Sequence, residues 1–274
     1  MENPKLAKLR ALEVKIALEI QRVCDKNGLR CFLVYGTLLG AVRHGGFIPW
    51  DDDMDMGMLR ADYEKFAEAC KTDLGPEFLW QSWDNDPSYP FPAGKVRLKG
   101  THTQEKFSPE GVEDGIYVDV FPYDAVSDVA WKRRVQGWWH YCGKRLLWMK
   151  KGYGRCIRDE SFTQRLRYDV TMALVRFVPY DWLRRRVARA LTRYNGQHTR
   201  QVASYEKYAI DREWVDDLIP LSFEGEQFRA IRAYDADLRN IYGDYMELPP
   251  ESERFCHEFR RLDFGPYAEG GEPG

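Results

Sequence analysis

Carboxylates at a regular spacing are the clearest chemical signal in the sequence. In residues 50–56, Trp-Asp-Asp-Asp-Met-Asp-Met, acidic and apolar side chains alternate from Asp53 onward. Because side chains two apart on a strand share a face, this alternation predicts a strand on which Asp53 and Asp55 point the same way and the methionines enter the core. Two adjacent carboxylates repel each other. A divalent cation that prefers hard oxygen ligands, Mg²⁺ or Mn²⁺, would relieve that repulsion.

A third carboxylate, Asp119, lies between apolar neighbours in residues 116–121, Ile-Tyr-Val-Asp-Val-Phe. This composition predicts a buried strand, on which a charged side chain needs a partner. We therefore predict that Asp53, Asp55 and Asp119 are the metal ligands and catalytic residues. Such a set could hold two metal ions roughly 3.5–4 Å apart for displacement at phosphorus. Asp51 is a further candidate, for which a solvated turn or a helix cap is an equal interpretation.

A Gly-Thr turn precedes the acidic run. Gly36 would let the backbone approach a ligand, and Thr37 would offer a hydroxyl and an amide at the start of a helix, where anions bind well. Arg43 and His44 follow, and we predict that they contact phosphate; the alternative for His44 is an ordinary surface position.

Two cations, Lys95 and Arg97, are two residues apart on a predicted strand and therefore share a face. They should repel each other unless an anion lies between them. We predict that they bind a donor phosphate, with Arg97 able to contact two oxygens. The alternative is a chance surface pair.

Apolar periodicity and turn residues indicate the elements that must position these groups. Strands that alternate with helices in the first part of the chain predict an α/β or α+β core. The predicted helices cover residues 6–27 and 60–71, a short helical turn covers 38–43, and the predicted strands cover 30–35, 53–56, 78–82, 95–98 and 116–121.

The chain divides by composition into three parts. Residues 1–126 carry the candidate catalytic groups, residues 127–210 are helical and rich in Trp and Arg, and residues 211–274 are expected to pack on the core, with a disordered tail after Gly265. Residues 131–200 contain 18 Lys or Arg against 4 Asp or Glu, although the whole chain has a net charge of −2. Such a segment suits an anionic partner: nucleic acid, an anionic membrane face or a polyphosphate-bearing substrate. Solvated Arg-rich helix faces are the competing interpretation.

Cysteine spacing, apolar run length and the N-terminal residues limit the kinds of protein that the sequence can encode. The six cysteines are scattered, without the clustering of a zinc knuckle or a disulfide framework, which favours buried thiols in a reducing compartment. No apolar run reaches the roughly 20 residues of a membrane span, and the N-terminal residues lack a signal-peptide pattern. We therefore expect a cytoplasmic protein that could work at the inner membrane surface. A nucleic-acid or membrane-surface binding protein is the non-enzymatic alternative, but nucleic acid is not the expected partner because no recognised motif accompanies the charge.

Together these motifs resemble the LicD/fukutin family of nucleotidyltransferase-fold proteins. The likeness is carried by residues 35–44 (YGTLLGAVRH), 46–56 (GFIPWDDDMDM), 95–97 (KVR), 115–122 (GIYVDVFP) and 241–250 (IYGDYMELPP), with His257 beyond them. The resemblance implies a nucleotidyltransferase-like mixed sheet flanked by helices, with residues 127–200 as an added helical segment. It also implies transfer of phosphocholine or a related group from a CDP-linked donor to a sugar or lipid-linked glycan.

By the same resemblance, the family's metal ligands fall on Asp53, Asp55 and Asp119, and no structural zinc is expected. The general base stays open between a spare oxygen of these aspartates and His257. True nucleotidyl transfer to a small phosphate or phosphonate is the alternative reaction, since the same metals would serve it.

Overall fold

The computed structural model describes residues 4–106, 108–109, 115–153, 162–204, 208–254 and 259–268. Eight α-helices lie in these ranges: α1 (Pro4–Lys26), α2 (Tyr35–His44), α3 (Arg60–Asp73), α4 (Ala130–Trp138), α5 (Lys144–Lys150), α6 (Phe162–Val175), α7 (Tyr180–Leu191) and α8 (Tyr234–Tyr242).

The described strands are β1 (Phe32–Leu33), β2 (Asp55–Leu59), β3 (Phe78–Gln81), β4 (Gly94–Leu98), β5 (His102–Glu105), β6 (Tyr117–Val126), β7 (Gln201–Ala203), β8 (Ala209–Asp211), β9 (Leu218–Phe223), β10 (Glu226–Ile231) and β11 (Phe259–Asp263). The main sheet has the order β1-β2-β6-β4-β3, and β7 joins β6 to β8. Strands β2 and β6 are parallel, whereas the other pairs of this sheet are antiparallel. Two further antiparallel pairs, β9 with β10 and β5 with β11, complete the strands.

The main sheet buries both of its faces, so most residues of its central strands β2, β6 and β4 are buried, charged ones included. One face packs against α1 and α3, with Met56, Val118 and Val120 among the fully buried residues. On the other face, Phe121 and Tyr123 pack with apolar residues of α5 and α7. This mixed helix-and-strand architecture confirms the predicted α/β (α+β) fold class.

The element boundaries differ from the predicted ones where the chemistry is concentrated. Strand β1 spans only Phe32–Leu33, because α2 already begins at Tyr35. Strand β2 begins at Asp55, so Asp53 precedes the strand on which it was expected to lie. The expectation that Met54 and Met56 enter the core is confirmed, since both are fully buried.

Within the described residues, the basic part of the chain contains helices α4 to α7 and ends in strands β7 and β8. Helices α4 and α5 are joined through one turn of π-helix, Trp139–Gly143, and α7 begins directly after Pro179. In the described ranges no helix is both long and apolar enough to cross a membrane. Gly265–Tyr267 form a short 3₁₀ turn, and the rest of the tail, residues 269–274, lies outside the described residues.

Candidate active site

Asp55 and Asp119 face each other across the two parallel strands of the main sheet. Asp55 is the first residue of β2, and its register partner on β6 is Asp119. Both therefore lie on the sheet face opposite to Met56 and Val120, because alternate side chains point to opposite faces. A backbone hydrogen bond joins the two segments beside this pair: the Asp119 N–H donates to the Met54 carbonyl oxygen at 3.0 Å. The structure thus brings together two of the three predicted carboxylates.

Asp53 approaches this pair from the loop before β2 rather than from the strand. Its negative charge helps to raise the pKa of Asp119 to about 6, although burial is the larger cause, and the neighbouring Lys95 opposes the rise. Asp53 is therefore close enough to act electrostatically on Asp119. The strand geometry expected to align Asp53 with Asp55 is wrong, because the chain takes up strand pairing only from Asp55.

The donor set suits a hard divalent cation. No cluster of three or more Asp, Glu, His or Cys side chains shaped to hold a metal occurs in the part of the chain that the structure describes. However, Mg²⁺ is usually held by one or two carboxylates together with substrate phosphates and water. The facing pair, Asp55 and Asp119, has the right chemistry for that mode of binding, with Asp53 nearby as a further oxygen donor.

Lys95 lies beside Asp119. The two residues are register partners on β4 and β6, and Lys95 Nζ is 3.4 Å from Asp119 Oδ2. The ammonium group also lies 3.1 Å from the centre of the Tyr117 ring. Since Lys95 is 93% hidden from solvent, its charge is balanced by these neighbours within the site.

Arg97 lies on the same face of β4 as Lys95, as predicted, but its guanidinium donates hydrogen bonds to other groups of the protein. It donates through Nε to the Gln81 side-chain oxygen and through Nη1 to the Gly115 carbonyl oxygen at 3.1 Å. Its guanidinium carbon lies 5.2 Å from the centre of the Tyr117 ring, which thus meets both cations. Tyr117 is therefore a shared neighbour of Lys95 and Arg97, in addition to Asp119 beside Lys95.

The Gly-Thr turn holds the acidic loop in place. The Thr37 hydroxyl accepts a hydrogen bond from the Asp55 N–H at 2.8 Å, so it fixes the start of β2. A Cβ atom at Gly36 would lie 2.7 Å from Asp51 Oδ2. The Asp51 carboxylate therefore lies against the first turn of α2, where negative charge is favourable. Tyr35, just before this turn, has a φ of 51°, a strained conformation for a residue with a side chain.

Arg43 and His44 lie at the C-terminal end of α2. Arg43 donates to the Tyr245 carbonyl oxygen at 2.7 Å and to His44 Nε2 at 2.9 Å. Burial, with the charge of Arg43, lowers the pKa of His44, so His44 serves as a neutral acceptor. Arg43 also lies 6.0 Å from the ring of Trp50, whose indole is approached by Arg254 at 4.6 Å. The C-terminal part of the chain thus borders the acidic loop. His257 lies outside the described residues.

Sequence reasoning missed two polar residues of α1, Arg10 and Glu13. Arg10 is buried and donates to the carbonyl oxygens of Ile48, Pro49 and Asp51, the last at 2.6 Å from Nη2. It therefore fixes the loop that delivers Asp53. The available signal was a charged residue next to the apolar stripe of an amphipathic helix.

Glu13 is one turn further along α1 and is also buried. It lines a small cavity together with Asp52, Asp53 and Tyr117. Burial, and then the negative charges of the acidic run with Asp53 first among them, raises the pKa of Glu13 well above its usual range. The protonated form of Glu13 is therefore favoured in its buried position beneath the acidic loop.

Comparison with known proteins places this site in a defined class. Residues 28–145 match a nucleotidyltransferase domain, and this segment contains the whole Gly-Thr turn, the acidic run and strands β2, β4 and β6. The matching family model is LicD/FKTN/FKRP, which confirms the resemblance seen in the sequence.

Individual relatives extend the comparison. The lipopolysaccharide cholinephosphotransferase LicD of Haemophilus influenzae is 25% identical over 246 residues, which are 87% of this chain and 90% of that protein. The human ribitol 5-phosphate transferase FKRP is 46% identical over 78 residues, 27% of this chain and 16% of FKRP. An uncharacterized protein of Rickettsia prowazekii, RP689, is 54% identical over 44 residues, 16% of each chain.

Proposed function

We propose that this protein is a metal-dependent transferase that moves phosphocholine, or a related phospho-substituent, from a CDP-linked donor to a hydroxyl of a glycan or glycolipid. The observation that carries the proposal is the direct cross-strand pairing of Asp55 with Asp119 beside the buried cation of Lys95. Two carboxylates and a lysine on neighbouring central strands of a sheet would form a site for a diphosphate bound with a divalent cation.

The relatives support the class of reaction. One relative, similar over most of its length, is a cholinephosphotransferase that acts on lipopolysaccharide, and another is a ribitol 5-phosphate transferase. Both names describe transfer of a phosphate that bears an organic substituent. Because the substituents differ, the comparison supports phospho-substituent transfer more strongly than it supports choline.

In the proposed reaction the acceptor hydroxyl attacks the phosphorus that bears the substituent. A new oxygen–phosphorus bond forms, the bond from that phosphorus to the bridging oxygen of the diphosphate breaks, and cytidine monophosphate leaves. The hydroxyl proton passes to a general base, for which the candidates are a spare oxygen of Asp53, Asp55 or Asp119, and His257. A Mg²⁺ ion bound at Asp55 and Asp119 would supply neutralisation of the charge that develops on the diphosphate. Lys95 offers a fixed positive charge next to Asp119, and Arg43 offers a second one from the end of α2.

The residues also restrain the geometry of the site. Thr37 holds the backbone of Asp55, and Arg10 holds the loop before it, so the carboxylates are positioned before the donor arrives. Such preorganisation lowers the cost of aligning the donor for in-line displacement.

A thermal-shift screen tests donor recognition first. Cytidine, uridine and guanosine diphosphate conjugates are added with and without Mg²⁺; CDP-choline, CDP-ethanolamine and CDP-ribitol represent the cytidine class. We expect cytidine conjugates to raise the melting temperature only when Mg²⁺ is present. Equal stabilisation by all three nucleotides, or none by any, would contradict the proposal.

The reaction itself is followed by the mass gained by a sugar acceptor. Transfer of the phospho-substituent adds that group and releases cytidine monophosphate. True nucleotidyl transfer instead adds the cytidylyl group to a phosphate or phosphonate acceptor. The mass of the product therefore separates the two reactions.

A further inference from the structure

An apolar stripe lies on the surface of the basic helical segment, on elements other than the strands that carry Asp55, Lys95 and Asp119. On α4, Trp131, Val135 and Trp138 recur at the spacing of one helix face, and Tyr141 continues this row into the π-helical turn. These four side chains are between 50% and 64% exposed. Single exposed apolar residues are ordinary, but a row of large ones on one helix face marks an interaction surface.

A second row follows on α6. Leu166, Val170 and Leu174 are four residues apart, so they share a face, and Phe177 follows directly after the helix. Phe177 is 82% exposed, and the other three are at least half exposed. Because α6 contacts α5, which continues from α4 through the π-helical turn, the two rows belong to one packed group of helices.

Positive charge accompanies both rows. Arg133, Arg134 and Arg145 are exposed near the first row, and Arg176 is exposed beside Phe177. Across residues 131–200 the sequence has 18 basic and 4 acidic side chains. Basic residues next to exposed Trp, Phe and Leu form the pattern of helices that lie in the interface of an anionic membrane, with apolar side chains in the acyl region and cations at the headgroups. A surface that binds nucleic acid would require the positive charge but not the exposed aliphatic side chains of α6.

We propose that these rows, Trp131/Val135/Trp138/Tyr141 and Leu166/Val170/Leu174/Phe177, dock the protein on an anionic phospholipid bilayer. Tryptophan suits this position because its ring is amphipathic, and the long arginine side chains reach the headgroups while their stems cover apolar surface. The inference goes beyond the proposed transfer reaction, because bilayer binding is measured without donor or acceptor.

The test is co-sedimentation of the full chain with two kinds of vesicle, phosphatidylcholine alone and phosphatidylcholine mixed with phosphatidylglycerol. We expect binding to the anionic vesicles that weakens with salt. Two double variants, Trp131→Ser/Trp138→Ser and Leu174→Ser/Phe177→Ser, should each lower the association constant for the anionic vesicles about tenfold or more. The matched control is Leu79→Ser, which removes an exposed leucine of β3 outside these helices and should leave binding unchanged.

Several outcomes would overturn the proposal: no binding to anionic vesicles, equal binding to both kinds of vesicle, or losses as large in the Leu79 variant as in the row variants. Row variants that abolish a concentration-dependent dimer while vesicle binding persists would assign the surface to a second copy of the chain. Salt-sensitive RNA binding without vesicle binding would assign it to nucleic acid. If a row variant fails to give the helical circular dichroism of the parent, Arg134→Glu with Arg176→Glu supplies the test, because both side chains are exposed.

Discussion

Asp119 has two neighbours with opposite effects: Asp55 faces it across the parallel strands, and Lys95 Nζ lies 3.4 Å from its Oδ2 atom. Burial makes the negative charge of Asp119 costly, the facing carboxylate adds repulsion, and Lys95 offsets part of that cost. Replacing Asp55 therefore removes a repulsion, whereas replacing Asp119 leaves a buried cation without its acidic partner. The two carboxylates share a proposed role in transfer but differ in their effect on folding.

Asp55→Asn and Asp119→Asn should each lower the transfer rate by on the order of 10²-fold or more, since each removes a negative ligand for the cation. Asp55→Asn should leave the free energy of unfolding unchanged or raised. Asp119→Asn should raise it at neutral pH, because burial raises the pKa of the Asp119 carboxyl to about 6, although part of the gain is lost when the buried Lys95 loses its acidic partner. Urea unfolding at neutral pH checks the difference, and near-normal turnover of both variants in saturating Mg²⁺ would contradict the site.

The double variant Asp119→Asn with Lys95→Met controls for the ion pair. Replacing the lysine by a chain of similar length removes the unpaired charge, so the double variant should be more stable than Asp119→Asn alone. Activity should stay low, because the carboxylate is still missing. Strictly additive changes in stability would show that Lys95 and Asp119 are not energetically coupled.

Thr37→Val should cost about 1 kcal/mol of stability, because the Asp55 N–H loses its acceptor while the shape of the side chain is retained. The same change should weaken the apparent affinity for Mg²⁺, since the start of β2 is no longer fixed. Thr37→Ser keeps the hydroxyl and is the matched control. Magnesium titrations of the donor-dependent reaction compare the variants. Equal affinities for Mg²⁺ in the Val and Ser variants would show that the Thr37 hydroxyl does not position Asp55.

Arg97→Met should act mainly on stability. The guanidinium donates to Gln81 and to the Gly115 carbonyl oxygen, so its removal should lower the free energy of unfolding by about 2 kcal/mol. Lys95→Met, by contrast, should act mainly on the donor's KM. Kinetics well below the melting temperature separate the two effects. A large rise in KM for Arg97→Met, with stability unchanged, would instead favour direct contact with the donor.

Local sequence patterns predict those features of the site that depend on neighbouring residues, and they miss features that depend on residues far apart in the chain. Alternating residues reveal a strand and its buried face locally, so the burial of Met54 and Met56 and the strands containing Lys95 and Asp119 were predicted correctly. The start of β2 is set by pairing with β1 and β6, which is not visible in the alternation. Asp53 was therefore placed on the strand although it lies before it.

Long-range side-chain bonds set the other limit. Arg10 is 41 residues from the Asp51 carbonyl oxygen that it contacts, and the pattern of α1 indicates only an amphipathic helix. Likewise, two cations on one strand suggested a bound anion, but the sequence did not reveal that Tyr117, on the neighbouring strand, lies beside both of them. Local patterns predicted the residue types of the site better than their partners.

Arg10→Met should loosen the loop that precedes Asp53. The variant keeps much of the aliphatic stem but loses the bonds to three backbone carbonyl oxygens, so stability should fall by about 3 kcal/mol and the apparent affinity for Mg²⁺ should fall with it. Arg22→Met is the control on the same helix, because Arg22 is exposed and bonds to Glu19 and Asp73 far from the site. Normal Mg²⁺ affinity in Arg10→Met, measured under conditions where it is fully folded, would limit Arg10 to a structural role.

Asp237, on α8, gives a prediction for the dependence of stability on pH. It is buried, its Oδ1 atom has no hydrogen-bond partner among the described residues, and burial raises its pKa to about 6. Because the folded pKa exceeds the unfolded value, the favourable contribution of the protonated acid is present at pH values below about 4 and is lost as the pH rises through 6. Asp237→Asn, which stays neutral, should therefore gain up to about 3 kcal/mol relative to the parent above pH 6 and little or nothing near pH 4. Urea unfolding of both proteins across this range measures the difference, and a gain that does not change with pH would show that the carboxyl group of Asp237 does not ionise with a raised pKa.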